Sequence, residues 1–166
     1  AAKIFSISPD RITVHSTNTS RIANASPTAA STGADLNGKA TILACEAILA
    51  RMKGIAAQAV RAQDPCEIEL RDEVIYHNGQ KTDIDWKKLI ILMDENRLSL
   101  SEHGHYATPV IHFNKAKEKG HPFSYHVYGT AVTAVTVDCL RGTYEIDLVK
   151  IVHDFGTSMN LDIDLG

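Results

Sequence analysis

The chain has 166 residues, of which 44% are hydrophobic and 22% charged, and its formal net charge is -3. This composition is typical of a folded globular domain and excludes a disordered segment. The sequence has no sustained Lys/Arg run, which argues against nucleic acid or an anionic membrane as the main partner. It also has no apolar stretch long enough to span a bilayer. We therefore expect one domain-sized unit with a sizeable core.

The first predicted element is a strand over residues 11–16. Polar and apolar side chains alternate there, directly after Pro9 and Asp10, which are turn residues. The strand would lead into a polar, nearly uncharged run over residues 16–31, followed by an alanine-rich helical pattern.

The start of that helix has the pattern of a capped N-terminus. Ser26 is a suitable N-cap, and Pro27 suits the first helical position because its missing N–H would be unpaired there. The amides of Thr28, Ala29 and Ala30 would then point forward, and no carboxylate occupies this first turn. Two interpretations stay open on the local pattern: a simple cap, or a site for an external phosphate or oxyanion.

Apolar residues continue at helical spacing to about residue 53 and predict one buried helix face; they are Leu36, Ala40, Leu43, Ala47 and Ile48. Gly33 and Gly38 fall in the first turns, where glycine costs roughly 1 kcal/mol relative to alanine. Either a ligand or a neighbouring backbone that approaches closely would compensate for that cost.

The middle of the chain predicts short antiparallel strands and a second helix. Residues 67–70 and 74–76 are strand-like, and Asn78-Gly79 is a hairpin turn signal. Thr82 followed by Asp85 has the spacing of a capping box. The helix that it would start has an apolar stripe in the core, formed by Trp86, Leu89, Ile90 and Met93.

The last third of the chain predicts extended structure. Residues 99–109 would be extended with a bulge at Gly104, and residues 115–120 would form a charged surface loop. Apolar and polar side chains alternate over residues 125–138, and residues 140–143 predict a turn. In the returning strand, the apolar residues form one alternating set: Tyr144, Ile146, Leu148 and Val152. Together these elements predict an α+β fold, with antiparallel strands and a long hairpin packed against a few helices.

Cysteine and histidine offer little support for a metal site. Cys45, Cys66 and Cys139 lack any C-x-x-C pair, which favours reduced, mostly buried thiols in a cytoplasmic protein and excludes an iron–sulfur cluster within this segment. His103 and His105 could share one face of a strand, but no companion ligand has recognised zinc spacing. The other histidines look scattered: His15, His77, His112, His121, His126 and His153. We expect no direct metal ligand, and no hydrolytic triad, dinucleotide or Walker pattern is present.

Two blocks of the sequence, in order, resemble the molybdenum hydroxylases and most closely the molybdopterin-binding part of the xanthine dehydrogenase family. The first block is Ser-Thr-Asn-Thr at 16–19, Asn24, Ser-Pro-Thr-Ala-Ala-Ser at 26–31 and Ala-Asp-Leu-Asn-Gly at 34–38. The second is Phe-Ser-Tyr-His-Val-Tyr-Gly at 123–129, Val-Thr-Val-Asp-Cys-Leu-Arg-Gly at 135–142 and Asp-Phe-Gly-Thr-Ser-Met-Asn at 154–160. Residues 104–109 between them also match, so the resemblance covers nearly the whole chain.

The resemblance implies the cofactor and the residues that contact it. Members of the family hydroxylate a C–H carbon of a purine, an aldehyde or an N-heterocycle with oxygen from water, and their cofactor is molybdenum-molybdopterin. The segment that matches the family's cofactor-contacting residues consists of Thr28, Ala29, Ala30, Ser31, Thr32 and Gly33. Among these, Ala29 and Ala30 match positions that border the substrate pocket.

The resemblance also implies that much of such an enzyme lies outside this chain. We expect a fragment of a larger molybdenum-cofactor-binding domain, cut at both ends, without the family's catalytic glutamate and inactive and cofactor-free on its own. Its partners would be the rest of the molybdenum subunit and the domains or subunits that carry iron–sulfur clusters and FAD. The cytosine dinucleotide form of the pterin, an aldehyde or other heterocycle as substrate, and a non-catalytic scaffold or assembly module stay open. The uncovered apolar faces of such a fragment would favour self-association.

Overall fold

The computed structural model describes residues 1–15, 18, 20, 28–29 and 33–166. The helices are α1 (Ala2–Phe5), α2 (Gly38–Val60), α3 (Trp86–Glu95) and α4 (Leu161–Leu165). The strands are β1 (Ile68–Arg71), β2 (Val74–His77), β3 (Gln80–Asp85), β4 (His112–Asn114), β5 (Lys119–His121), β6 (Tyr128–Asp138) and β7 (Thr143–Asp154). Within the described ranges they form three antiparallel sheets, β1-β2-β3, β4-β5 and β6-β7. The predicted α+β class with a long hairpin is confirmed.

The chain divides into two compact units. The first comprises residues 1–107 and contains α1, α2, α3 and the sheet β1-β2-β3. The second comprises residues 108–166 and contains the two hairpins and α4.

The core of the first unit forms around α2, which packs against α1, α3 and β1. Its buried side chains come from each of these elements and from β2 and β3; they are Phe5, Cys45, Met52, Ile55, Ala56, Ala57, Ile68, Ile75, Ile84, Leu89 and Met93. Small residues on α2 are part of this core, and Ala56 is fully buried in it.

Helix α2 is longer than its sequence pattern predicts. It continues past residue 53 to Val60 and ends at Arg61, which adopts the left-handed conformation at φ 58°. The predicted end coincided with Gly54, yet one glycine costs only about 1 kcal/mol in a helix interior. Burial of Met52, Ile55 and Ala56 on both sides of Gly54 outweighs that cost.

The small sheet confirms the predicted strands and their turn. Asn78 and Gly79 both have positive φ, 48° and 76°, as a two-residue type I′ turn requires. The predicted cap of α3 at Thr82 is wrong. Residues 80–85 pair with β2, and it is Asp85 whose carboxylate accepts a hydrogen bond from the Lys88 amide at 2.8 Å. Strand pairing therefore delays the helix by three residues.

The two other extended segments predicted for this unit are not strands. Arg11 lies in a 3₁₀ turn and its guanidinium contacts Glu73 at 2.8 Å, and residues 12–15 have no partner strand. Residues 99–107 also have no strand partner and instead lie against α2, so the predicted bulge at Gly104 is wrong. Alternation alone does not make a strand when no backbone is available to pair with it.

In the second unit, β4 and β5 form a short hairpin that pairs His112 with His121 and Phe113 with Gly120. The charged segment predicted as a loop is its turn, but Lys119 and Gly120 belong to β5. A Cβ on residue 120 would lie 2.3 Å from the His112 carbonyl oxygen, so glycine is needed for the strands to approach.

Strands β6 and β7 form the long hairpin, and β7 contains one extra residue. Ala134 pairs with Leu148 and Val135 with Ile146, which leaves Asp147 as the bulged residue. The Thr136 hydroxyl donates a hydrogen bond to the Asp147 carboxylate at 2.8 Å. The predicted single alternating set is therefore wrong: Tyr144 and Ile146 lie on one face, whereas Leu148 and Val152 lie on the other.

The long hairpin exposes many apolar side chains. Within residues 108–166, all of which the structure describes, no side chain is buried. On the face shared by Val135 and Ile146, the exposed apolar side chains are Val135, Val137, Tyr144, Ile146, Val149 and Ile151. We call this set the hairpin apolar face.

Candidate functional site

Half of the predicted cofactor segment is described by the structure. Thr28, Ala29 and Gly33 are described, whereas Ala30, Ser31 and Thr32 lie outside the described residues, as do the predicted cap Ser26 and Pro27. Thr28 and Ala29 are exposed and have no regular secondary structure. The prediction that they lie in the first turn of the helix is therefore wrong.

The structure brings Thr28 and Gly33 together. A Cβ placed on residue 33 would lie 3.1 Å from Cγ2 of Thr28 and 3.6 Å from its hydroxyl oxygen. The Thr28 side chain thus lies against the Gly33 backbone. A larger side chain at position 33 would displace Thr28, which gives the glycine a local role that helical spacing did not predict.

The first helical residue that the structure describes is Gly33, whereas the sequence pattern predicts Pro27 at the first helical position. The segment Gly33–Asn37 is a π-helical turn that continues into α2. Its first turn contains Asp35, so the expectation of a helix start without a carboxylate is also wrong. A negative side chain at this end offsets the partial positive charge of the helix N-terminus. An anion bound nearby would therefore depend on hydrogen bonds from side-chain and peptide N–H or O–H groups.

A shallow cavity of about 300 Å³ follows this turn along α2. Small residues on one side of the helix form its floor together with a buried thiol and a glycine from residues 99–107; the lining residues are Asn37, Ala40, Thr41, Ala44, Cys45, Ile48 and Gly104. This cavity was not predicted from the sequence. The available signal was the pair Ala40 and Ala44, one helical turn apart, which lets another backbone lie close.

Gly104 makes that close approach. A Cβ on residue 104 would lie 2.0 Å from the carbonyl oxygen of Ala40 and 3.1 Å from Cβ of Ala44. No side chain fits there without moving the backbone. Gly104 therefore fixes residues 99–107, which we call the strap, against the first half of α2.

Arg51 fastens the other end of the strap. Its guanidinium donates hydrogen bonds to the carbonyl oxygens of Ser99 at 3.0 Å and Ser101 at 3.1 Å, and to the Glu102 carboxylate at 2.7 Å. The hydrogen bond from Arg51 holds the pKa of Glu102 below its ordinary value, with a smaller contribution from the His103 amide. One planar guanidinium thus joins three strap residues to α2.

The thiols and histidines of the described residues do not assemble a cluster. Cys45 is buried, but Cys66 and Cys139 are exposed, so the expectation of buried thiols holds for only one of the three. A hydrogen bond with Asp64 raises the pKa of the Cys66 thiol. Among the described residues, no three or more His, Cys, Asp or Glu side chains are placed to hold one metal ion. His103 and His105 are exposed and outside any strand.

The described residues fit a ligand with many oxygen atoms. Thr28 offers a hydroxyl on the surface, and Ala29 and Gly33 are small enough for a flat group to approach the nearby peptide groups. Because the Thr28 methyl already fills the space beside Gly33, this part of the segment is compact rather than open.

Comparison with known proteins identifies the class to which this fold and segment belong. The family model for the molybdopterin cofactor-binding domain matches residues 1–166, so the chain belongs to that family. It is similar to the xanthine dehydrogenase of Oryza sativa subsp. japonica, with 35% identity over all 166 residues and 10% of the length of that protein. It is also similar to the xanthine dehydrogenase/oxidase of Gallus gallus, with 34% identity over the whole chain and 11% of that protein.

A third similar protein is the xanthine dehydrogenase of Dictyostelium discoideum, at 31% identity over 169 aligned residues. The chain spans about a tenth of the length of these curated relatives. The resemblance to molybdenum hydroxylases of the xanthine dehydrogenase family is thereby confirmed. In the part of the chain that the structure describes, no helix is both long and apolar enough to cross a membrane.

Proposed function

We propose that this chain supplies one wall of the molybdenum-molybdopterin pocket of an enzyme that hydroxylates a purine C–H carbon with oxygen from water. The observation that carries the proposal is the match of the molybdopterin cofactor-binding family over residues 1–166, together with relatives named xanthine dehydrogenase. The adjacency of Thr28 and Gly33 supports the assignment of residues 28–33 to that wall.

The roles of the residues follow from their chemistry. When bound, the cofactor supplies the two-electron oxidation of the substrate carbon. Thr28 would donate its hydroxyl hydrogen to an oxygen of the pterin or its phosphate, and Gly33 would keep the Thr28 side chain in place. Ala29 and Ala30 would border the substrate, where methyl groups keep water out and leave room for a flat ring. Ser31 and Thr32 complete the proposed cofactor-binding set.

Several parts of the activity belong to the rest of the protein in this proposal. The chain alone would be inactive and free of molybdenum, since no catalytic residue is assigned to it and residues 28–33 form only part of a pocket. Iron–sulfur clusters and FAD on other domains or subunits would carry the electrons away, and the enzyme would be cytoplasmic. An assay of the isolated chain for bound molybdenum and for turnover tests this; stoichiometric metal or measurable turnover would overturn it.

The test of the pocket wall uses the full-length enzyme with a substitution at position 30. Ala30→Phe should reduce purine turnover at least 100-fold, because a benzyl group would occupy the space beside the cofactor, while the unfolding temperature stays within a few degrees. The matched control is Ala59→Phe, at an exposed alanine of α2 that lies far along the helix from residue 33. Normal molybdenum content and normal turnover in Ala30→Phe would refute the assignment.

The substrate class is tested separately. Steady-state kinetics of the full-length enzyme on a purine, an aldehyde and a nicotinate-type heterocycle should give the highest kcat/KM for the purine. A preference for the aldehyde or the other heterocycle would overturn the assignment of a purine substrate, but not the assignment of residues 28–33 to the pocket wall. A full-length protein that binds the cofactor but oxidises none of the three classes would indicate a scaffold or assembly module instead.

A further inference from the structure

The β4–β5 hairpin places two histidines side by side. His112 pairs with His121 across the strands, and their ring centroids lie 6.4 Å apart with the rings tilted by 38°. Both side chains are exposed. The two histidines are scattered in the sequence, with eight residues between them, and only the register of the hairpin brings them together.

Each of the two rings has one nitrogen held by a backbone carbonyl. Nδ1 of His112 lies 3.3 Å from the carbonyl oxygen of Val110, and Nδ1 of His121 lies 3.3 Å from that of Phe123. A carbonyl oxygen only accepts hydrogen bonds, so Nδ1 is the protonated nitrogen in both rings. In the neutral imidazoles, the lone pair is then on Nε2 of each ring.

This arrangement is the one that metal-binding histidines use. Such histidines almost always donate their other ring N–H to a carboxylate, a carbonyl or water, which fixes the ring orientation and the coordinating nitrogen. Two imidazoles that share an ion at about 2.0–2.1 Å per nitrogen have ring centroids roughly 4.5–6.5 Å apart, depending on the N–metal–N angle. The observed 6.4 Å lies at the wide end of that range, which corresponds to a wide N–metal–N angle.

The hairpin backbone keeps the two rings close. Gly120 precedes His121, and a Cβ on residue 120 would lie 2.3 Å from the His112 carbonyl oxygen and 2.7 Å from Cα of Phe113. The strands are therefore in contact where the histidines are, so that little ordering of the backbone is needed to bring both nitrogens to one ion.

We propose that His112 and His121 form a two-histidine chelate for a late first-row divalent cation, with water in the remaining coordination positions. Imidazole nitrogen selects Ni²⁺, Cu²⁺ and Zn²⁺ over Mg²⁺ and Ca²⁺, which prefer oxygen. The cation would tie β4 to β5 and thereby stabilise this hairpin. The proposal is independent of the molybdenum cofactor and of residues 28–33.

The test is titration of the 166-residue chain with Ni²⁺ by isothermal titration calorimetry near neutral pH. Ni²⁺ is the probe because the exposed thiols of Cys66 and Cys139 would reduce Cu²⁺. We expect one Ni²⁺ per chain, with at least tenfold weaker binding in His112→Ala and in His121→Ala. His126→Ala is the matched control, since His126 is exposed in the same unit but its ring packs against Phe123 rather than a second histidine. Its affinity should equal that of the parent.

Three results would overturn the proposal: no saturable binding of Ni²⁺, binding that persists in both alanine variants, or an equal loss in His126→Ala. Circular dichroism checks that the variants are folded. If an alanine variant loses structure, His112→Asn and His121→Asn, which keep a polar side chain, take its place. As a second readout, Ni²⁺ should selectively broaden the ring proton resonances of His112 and His121 in the parent chain, and broadening at other histidines instead would also overturn the proposal.

Discussion

Gly104 and Ala40 are in such close contact that a Cβ at position 104 would lie 2.0 Å from the Ala40 carbonyl oxygen. The contact joins the strap, residues 99–107, to the part of α2 that directly follows the π-helical turn Gly33–Asn37. A movement of the strap would therefore act on the helix that follows the π-helical turn containing Gly33.

The first prediction concerns this contact. Gly104→Ala should lower the free energy of unfolding by about 1–3 kcal/mol, because the strap backbone must move away from α2 to make room for the methyl group. Urea denaturation of the parent and the variant measures the difference. The strap should also become more sensitive to proteolysis, and equal stability with equal protease resistance would show that the contact is not tight in solution.

A second glycine on the same helix should behave in the opposite way. Gly54 lies inside α2, and a Cβ there would meet nothing within 4 Å. Gly54→Ala should therefore raise the free energy of unfolding by about 0.5–1 kcal/mol, through the smaller loss of backbone entropy on folding. The same denaturation experiment serves as the control for Gly104→Ala, and a destabilised Gly54→Ala would mean that the helix is crowded at this position.

The ion pair between Arg51 and Glu102 should make strap attachment sensitive to acid. The pKa of Glu102 is lowered by Arg51, so the folded chain holds the Glu102 proton less tightly than the unfolded chain does. The stabilisation is complete above the ordinary glutamate pKa of about 4.3 and is lost as the pH falls through the lower folded value.

Unfolding of the parent and Glu102→Gln as a function of pH measures this effect. The parent should lose more stability than Glu102→Gln between pH 6 and pH 3, and most of the difference should disappear in Arg51→Ala. The matched control is Glu69→Gln, whose carboxylate forms an exposed ion pair with Arg71 on β1, outside the strap. Parallel pH profiles for the parent and Glu102→Gln would contradict the prediction.

The hairpin apolar face should drive self-association of the isolated chain. Ile146 and Ile151 are 59% and 67% exposed and lie on the same face of the β6–β7 hairpin. The double variant Ile146→Lys/Ile151→Lys should shift sedimentation equilibrium toward monomer and reduce the binding of an apolar dye. Thr130→Lys on the opposite face is the control and should change neither measurement, whereas a strictly monomeric parent at high concentration would refute the prediction.

The sequence predicted those elements for which local signals and long-range pairing agree. The turn at Asn78-Gly79 has positive φ at both residues, as a two-residue hairpin turn requires, so β2 and the turn that follows it were predictable, whereas β3 was not predicted as a strand. The stripe that contains Leu89 and Met93 predicted the buried face of α3 for a similar reason.

The errors arise where several local solutions compete and a distant partner decides between them. Thr82 and Asp85 could both cap α3, and pairing of β3 with β2 selects Asp85. The helix start was expected near Ser26 because the cap pattern is local, but Thr28 packs against Gly33 instead of entering a helical turn. His112 and His121 carry no signal along the chain, since their proximity depends wholly on hairpin register.

The bulge at Asp147 has a consequence for how this region can vary in length. Strand β6 has 11 residues and β7 has 12, so that removal of Asp147 would leave two strands of equal length with every residue still paired. Such a deletion would preserve the ladder and the turn at 139–142, and because Leu148 already pairs with Ala134, residues 148–154 would keep their faces relative to Tyr144 and Ile146. A single-residue deletion here would thus remove the bulge and the hydrogen bond from Thr136 to Asp147, while each face of the hairpin would keep its side chains.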